Sequence, residues 1–294
     1  MSENIVEIKN LSKQFGTISA LDKVSIDIPS KSIFGILGPN GSGKSTLMRI
    51  ISGLIKKWDG EIKILGEHVH SSNTNYLNRL GFMIESPSFY EYLSAKENLK
   101  IFARLTNNTT SHINHVLERV NLINRAKDKV KTYSYGMKQR LGLAQCLLHD
   151  PKILILDEPN NGLDPSGIRE MSKIINSLHK SGKTICISTH ILSEVESLCT
   201  NVAVLKNGQL MSTVKLNDEF FHKNSFIINS KNISDCKDLL QDKKFIHALQ
   251  IDEHNMFIQS KDRSYLKDVK KILSNANINF SITKESNLMY YFND

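Results

Sequence analysis

Between an apolar run, Ile33 to Leu37, and a helical pattern lies Gly38-Pro39-Asn40-Gly41-Ser42-Gly43-Lys44-Ser45-Thr46, a phosphate-binding loop in the strand, loop and helix context it requires. The glycines free the backbone to turn N–H groups inward around phosphate oxygens, and a helix starting near Lys44 adds the positive end of its dipole. Lys44 is the mobile charge for β- and γ-phosphates, and Ser45 offers a hydroxyl where Mg²⁺ would bridge them. Leu47, Ile50, Ile51 and Leu54 recur at helical spacing and form the stripe expected to bury that helix. The chemistry implied is binding of a nucleoside triphosphate.

Further along, Ile153 to Leu156 leads into Asp157-Glu158, two adjacent carboxylates at the end of a buried strand, which on a strand point in opposite directions. Two roles follow: Asp157 can hold Mg²⁺ through its water shell, and Glu158 can polarise an attacking water toward a γ-phosphate. Thr189-His190 follows the next apolar strand, so His190 is expected at the same end of the sheet, able to donate to a phosphate oxygen. Ser134-Tyr135-Gly136-Met137 opens a helix containing Leu141 and Leu148, so Ser134 and the N–H groups after it make a second anion-binding helix start.

The elements that must position these groups are legible as patterns. Residues up to 84 alternate short β-like runs, Ile5 to Ile8, Val24 to Ile28, Ile33 to Leu37 and Ile62 to Leu65, with turn signals such as Asp59-Gly60, suggesting a β-rich lobe that carries the phosphate loop. From Ala95 to His149 the spacing turns helical, with Ile113, Val116, Leu117 and Val120 on one stripe and Leu141, Ala144 and Leu148 on another, as in an inserted helical subdomain over about 86–149. Parallel-sheet character returns at Ile153 to Leu156 and Thr184 to Ile187, flanking a helical segment from Ile168 to Leu178. Val202 to Leu205, Asn207-Gly208 and Gln209 to Val214 form a type I′ hairpin signal that closes a domain spanning 1–215. In 216–294, strand, helix, two strands, helix and strand follow in the order of a small ferredoxin-like α+β unit, for which a regulatory or dimerising role competes with a stabilising one.

Composition narrows the class. No run approaches the apolar length of a membrane span, and Met1-Ser2-Glu3-Asn4 is no basic-then-apolar leader, so a cytosolic chain is expected. Cys146, Cys186, Cys199 and Cys236 sit in apolar segments without C-x-x-C spacing, which predicts buried thiols and neither disulfide nor zinc. The net charge of +8 belongs to the nucleotide half: residues 216–294 carry 11 basic and 11 acidic side chains, leaving 27 basic against 19 acidic before them. No aromatic-interleaved basic stripe accompanies that excess, so no nucleic-acid partner is expected.

Taken together these motifs resemble the nucleotide-binding subunit of ATP-binding cassette (ABC) transporters over about residues 1–215. The resemblance matches the family's Walker A motif to Gly38 through Thr46, its signature to Tyr133 through Met137, its Walker B to Ile153 through Glu158, its D-loop to Asn161 through Asp164 and its switch histidine to His190. It implies an α/β P-loop NTPase cassette: a β-rich lobe, a parallel-sheet core and an inserted helical subdomain, followed by the small α+β domain. It further implies ATP with Mg²⁺ as ligands and a head-to-tail pair of cassettes, most economically a homodimer. Each ATP is then clamped between the loop of one copy and Ser134 with Gly136 of the other, Asp164 lying in the D-loop beside them. A separate polytopic permease completes the assembly, with this subunit peripheral on the cytoplasmic face of the membrane. Phe15 matches the aromatic position that stacks on adenine, with an ordinary core phenylalanine as the competing reading.

Two departures from the family pattern stand out. The usual Leu-Ser-Gly-Gly-Gln signature reads Tyr133-Ser134-Tyr135-Gly136-Met137, keeping the serine and second glycine, and the Q-loop glutamine is Glu85. A carboxylate there can approach Mg²⁺ or the water but adds negative charge beside the phosphates and Glu158. That variant, followed by Ser86-Pro87-Ser88-Phe89-Tyr90, resembles the subgroup that exports bacitracin-like and lantibiotic peptides. The competing functions are drug or lipid export, a catalytically dead regulatory cassette and a soluble ATP-dependent factor. Lys44, Glu158 and His190 speak against the dead cassette, and the lack of a second cassette or coiled-coil insertion against the soluble factor.

Overall fold

The computed structural model describes residues 3–70, 74–105, 112–216, 225–240, 243, 246–251, 255–260 and 265–284. The chain divides into two compact units, Met1–Val214 and Lys215–Asp294.

In the first unit, β1 (Asn4–Phe15) and β2 (Ile18–Pro29) form a long antiparallel hairpin, followed by β3 (Ile33–Leu37), α1 (Lys44–Ile51), β4 (Asp59–Ile64) and β5 (Glu67–His68). One antiparallel sheet has the order β2-β1-β4-β5. Val24, Ile26 and Ile28 point into the core while Ser25 and Asp27 between them face water, the period-two pattern of a half-buried strand. Both hairpin strands run well past their apolar runs. Their tip, with Gln14 opposite Ser19 and Phe15 opposite Ile18, is held by backbone pairing rather than by a buried face, so hydrophobic alternation could not reveal it.

After β6 (Leu80–Met83) come α2 (Ala95–Leu105), α3 (Ile113–Arg119) and α4 (Tyr135–Cys146), the helical insertion that precedes β7 (Ile153–Asp157). Helix α2 starts on a reciprocal capping box. Ser94 Oγ accepts from Glu97 N at 3.2 Å, and Glu97 Oε2 accepts from Ser94 Oγ at 2.7 Å and from Ser94 N at 2.8 Å, these last two bonds holding the Glu97 carboxyl below its ordinary pKa. Then follow α5 (Pro165–Lys180), β8 (Thr184–Thr189), α6 (Leu192–Leu198), β9 (Asn201–Lys206) and β10 (Gln209–Lys215).

The second sheet has the order β10-β9-β3-β8-β7-β6, with β9, β3, β8, β7 and β6 mutually parallel. Strands β3 and β8 are buried along their whole length, as a sheet covered on both faces requires. Asn207 and Gly208, between β9 and β10, both have positive φ, 50° and 77°, the requirement of a type I′ turn. Strand β6 escapes a reading of the sequence because four residues including Gly81 carry no periodicity.

One expectation about α1 is corrected. The helix ends at Ile51 and Gly53 adopts a left-handed φ of 73°, which turns the chain outward and leaves Leu54 58% exposed instead of on the buried stripe.

The second unit contains β11 (Ser225–Asn229), α7 (Ile233–Leu240), β12 (Ile246–Ile251), β13 (Asn255–Ser260), α8 (Tyr265–Asn275) and β14 (Ser281–Lys284). Its antiparallel sheet, β12-β13-β11-β14, has the strand order of a ferredoxin-like fold. Phe226, Ile228, Met256 and Ile258 share one sheet face and pack with Cys236 and Leu240 of α7 and Val269 and Leu273 of α8.

Candidate functional site

Strand β3 delivers the chain at Leu37 into the loop Gly38–Gly43, and α1 begins at once with Lys44. The loop is tightly packed on its outer side. A Cβ at Gly38 would lie 2.2 Å from the Leu205 carbonyl oxygen, and one at Gly43, whose φ is 102°, 2.5 Å from that of Ala20. Gly41 has nothing within 4 Å of such an atom, so the loop is open there. Inside the curve Lys44 Nζ donates to the carbonyls of Gly38 at 2.9 Å and Pro39 at 3.0 Å, and the buried Ser42 hydroxyl has no hydrogen-bond partner among the described residues. Burial pulls the Lys44 pKa below its ordinary value, opposed in part by Glu158 and Asp157. A desolvated cation, an unpaired hydroxyl and a helix N-terminus at the end of a parallel strand together form a site for a polyanion.

The two carboxylates do diverge, but not by strand alternation. Strand β7 ends at Asp157, and Glu158 takes a left-handed φ of 46° that starts a turn. Asp157 Oδ1 accepts a hydrogen bond from Ser188 of β8, and the same Ser188 Oγ accepts from the Glu158 backbone N–H at 2.9 Å. One hydroxyl thus orients both acids. Glu158 Oε1 lies 3.2 Å from His190 Nδ1 and 3.9 Å from Lys44 Nζ, while Oε2 accepts from Asn161 Nδ2 at 3.3 Å. Ser188 and Asn161 hold this cluster together, and sequence reasoning gave neither a role in it. The available signal for Ser188 was a small polar residue inside the run that ends at Thr189-His190.

His190 is exposed at the end of β8, where the Thr189 hydroxyl donates to Glu194 at 2.8 Å and accepts from the Ile191 N–H at 3.0 Å, turning the chain. A carboxylate only accepts, so the contact with Glu158 places a proton on His190 Nδ1 and leaves Nε2 of the neutral ring an acceptor. Donation from Nε2 to an anion then requires the imidazolium.

The second anion-binding element lies apart. Ser134 caps α4, its Oγ accepting from Met137 N at 3.3 Å, and Asp164 caps α5, accepting from Gly167 N at 2.9 Å with Pro165 in the first turn. These two helix starts line a cavity of about 410 Å³ with Gly136 and Gly162. Tyr133 is buried, its hydroxyl donating to the Arg125 carbonyl at 2.7 Å, and burial pushes its pKa up to about 12. Tyr135 lies against Gly162, where an added Cβ would meet its ring at 3.1 Å. Among the described residues no hydrogen bond or ion pair joins Ser134 or Gly136 to Lys44, Glu158 or His190. Within one chain these two elements are thus not bonded to each other.

Phe15 is 47% exposed at the tip of β1, with Lys13 Nζ 4.8 Å from its ring centroid, which removes the core reading. The hairpin carrying it abuts the phosphate loop through Ala20 and Leu21, both within 3 Å of a Cβ placed at Gly43. Glu85 stands elsewhere: its carboxylate is paired with Arg49 at 2.5 Å rather than with Lys44, Asp157 or Ser45. Among the described residues no group of three or more His, Cys, Asp or Glu could hold a metal by itself, so a divalent ion here would depend on Ser45, Asp157 and the phosphates of its nucleotide. Asn40 and Gly41 are exposed, and Ser45 and Thr46 are half-buried on the first turn of α1. All four cysteines are free and buried.

A phosphate loop closing a parallel strand, adjacent acids on the next strand but one, and an antiparallel lobe with a helical insertion define a P-loop nucleoside triphosphatase of the cassette type. Comparison with known proteins agrees. The ABC transporter family matches residues 21–161. The chain is 44% identical over 212 residues to the bacitracin transport ATP-binding protein BcrA of Bacillus licheniformis, covering 71% of this chain and 69% of that one. It is 42% identical over 207 residues to the lantibiotic transport ATP-binding protein SrtF of Streptococcus pyogenes, covering 70% and 89%. Its fold resembles the dimeric post-hydrolysis state of the ATP-binding cassette MJ0796 bound to ADP and Pi, with a TM-score of 0.64 and 26% identity over 72% of this chain and 99% of that one. The chain belongs to the ATP-binding subunits of ABC transporters, and it is an ATPase. Among the described residues no helix is long and apolar enough to cross a membrane.

Proposed function

We propose that this subunit powers export of an antimicrobial peptide of the bacitracin or lantibiotic kind, serving resistance or self-protection. The observation that carries this reading is the likeness to two subunits named for transport of those two peptide classes, at 44% and 42% identity. The Glu85 loop and the variant signature from Tyr133 to Met137 support it. Export of a drug or lipid is the second reading, since the permease rather than the cassette selects cargo.

In the site, Gly38 to Thr46 cradle the phosphates of ATP, and Lys44 turns from the loop carbonyls to the β- and γ-phosphates. Phe15 stacks on the adenine. Glu158 orients a water in line with the γ-phosphorus and takes its proton as the new P–O bond forms and ADP departs. His190, held by Glu158, donates to a γ-phosphate oxygen. Magnesium, when bound, neutralises developing charge on the phosphates; Ser45 and Asp157 would hold it, with Ser188 orienting Asp157.

The cavity at the start of α4, unbonded to the phosphate loop of its own chain, and the likeness to a dimeric cassette support a head-to-tail homodimer in which Ser134 and Gly136 of one copy close over the nucleotide held by the other, with Asp164 setting the start of α5 beside them. Closing and opening of that pair would drive a polytopic permease from the cytoplasmic face of the membrane. The test is growth inhibition by bacitracin, lantibiotics and unrelated drugs in a deletion strain rescued with wild type or Glu158→Gln. Sensitisation to peptides cured only by wild type is expected. Sensitisation confined to unrelated drugs would replace the peptide reading with the drug one.

A further inference from the structure

The loop after β6 carries an acid where the family carries an amide, and the structure accounts for its charge. Arg49 Nη2, on the helix that follows the phosphate loop, lies 2.5 Å from Glu85 Oε1. The Glu85 backbone is left-handed, with φ 68°, so the direction of its side chain is set by the turn as well as by its own rotamer. The next residue is engaged from the other side: Ser86 Oγ lies 3.4 Å from the hydroxyl of Tyr135, in the first turn of α4. Glu85-Ser86 thus spans from the helix of the phosphate loop to the helix of the signature. Arg49 lies five positions after Lys44 on the helix that opens with it, and its pair with Glu85 is exposed, the two side chains being 40% and 70% open to solvent.

We infer that Arg49 is a positioning residue for Glu85: its guanidinium neutralises the loop carboxylate and holds it off the phosphate site, which lets this chain bind a polyanion with an acid at that position. The inference rests on the nucleotide site proposed above. It separates two roles for the Arg49 charge. If Arg49 serves Glu85, its loss harms nucleotide binding only while Glu85 is an acid. If Arg49 attracts phosphates directly, its loss harms binding whatever residue stands at position 85.

Equilibrium binding of a fluorescent ATP analogue in EDTA, where no turnover occurs, distinguishes these in wild type, R49Q, E85Q and the double variant. R49Q is expected to weaken binding about two- to fivefold when Glu85 is intact, the range of an exposed ion pair, and to change nothing when E85Q is already present. The difference should shrink in high salt, and R49K should bind as wild type. Equal weakening by R49Q in both backgrounds, or in neither, overturns the inference, as does R49K behaving like R49Q. Thermal unfolding of each variant identifies one that fails to fold, in which case R49M, alone and with E85Q, takes the place of R49Q. Failure of wild type itself to bind the analogue would overturn the nucleotide site, and this inference with it, and is told apart because no substitution is involved.

Discussion

One oxygen of Glu158 faces two nitrogens of the site: Oε1 lies 3.2 Å from His190 Nδ1 and 3.9 Å from Lys44 Nζ. Lysine comes from the helix after β3 and histidine from the end of β8, so a single carboxylate gathers the ends of adjacent parallel strands. Drawing Lys44 toward phosphates would leave Oε1 to His190 and Oε2 to Asn161, each oxygen keeping a lone pair for water.

Glu158→Gln keeps the shape of the side chain and removes the base. We expect hydrolysis to fall about 10²- to 10⁴-fold, with ATP binding retained and the dimer trapped. Single-turnover hydrolysis and size-exclusion chromatography with ATP check both. Retained steady-state turnover would remove Glu158 from the role of base.

Ser188→Ala should affect both acids, because the lost hydroxyl donates to Asp157 and accepts from the Glu158 N–H. Leaving these half-buried groups without that partner costs about 1 kcal/mol of stability. A reduced midpoint in thermal unfolding, together with slower hydrolysis and weaker Mg²⁺ dependence, is the expected pattern. A stability loss with unchanged Mg²⁺ dependence would confine Ser188 to packing.

Phe15→Ala removes an exposed ring, so stability should change by less than about 0.5 kcal/mol. Nucleotide affinity should fall by about 1–3 kcal/mol, roughly 5- to 150-fold, for ATP and GTP alike, and Phe15→Tyr should restore it. Titration calorimetry with both nucleotides measures this. An unchanged affinity for either would leave Phe15 as a surface residue.

Burial raises the pKa values of Cys146, to about 12, and of Cys186 and Cys199. An acid whose folded pKa is raised binds more protons folded than unfolded once pH passes the unfolded value near 9, so stability falls as pH rises from there. Each such thiol contributes a slope of about 1.4 kcal/mol per pH unit between pH 9 and its folded pKa. Denaturant unfolding from pH 8 to 10.5 should show the decline, and alanine or serine in place of a thiol should reduce the slope. At pH 8 the native thiols should resist alkylation that the unfolded chain accepts.

Much of this was legible in the residue order. The phosphate loop is one continuous segment whose glycine spacing, lysine and flanking apolar strand act locally, so no distant contact is needed to identify it. The helix start at Ser134, the type I′ turn at Asn207-Gly208 and the ferredoxin-like alternation of the tail are local as well. Strand β6, the exposed tip of the β1–β2 hairpin and the exposure of Leu54 were not legible. The first two are held by backbone pairing without a hydrophobic pattern, and the third depends on where one glycine turns the chain.

What the sequence determined by itself is which groups are present and in what order: a phosphate loop, paired acids, a histidine and a second helix start. Only the tertiary structure decided how they meet. Parallel strands from distant parts of the chain place Glu158 between Lys44 and His190, let one Ser188 hydroxyl serve both acids, and turn Glu85 to Arg49. Motifs follow from short-range backbone geometry, whereas a carboxylate's partner follows from strand order and packing, which no local spacing encodes.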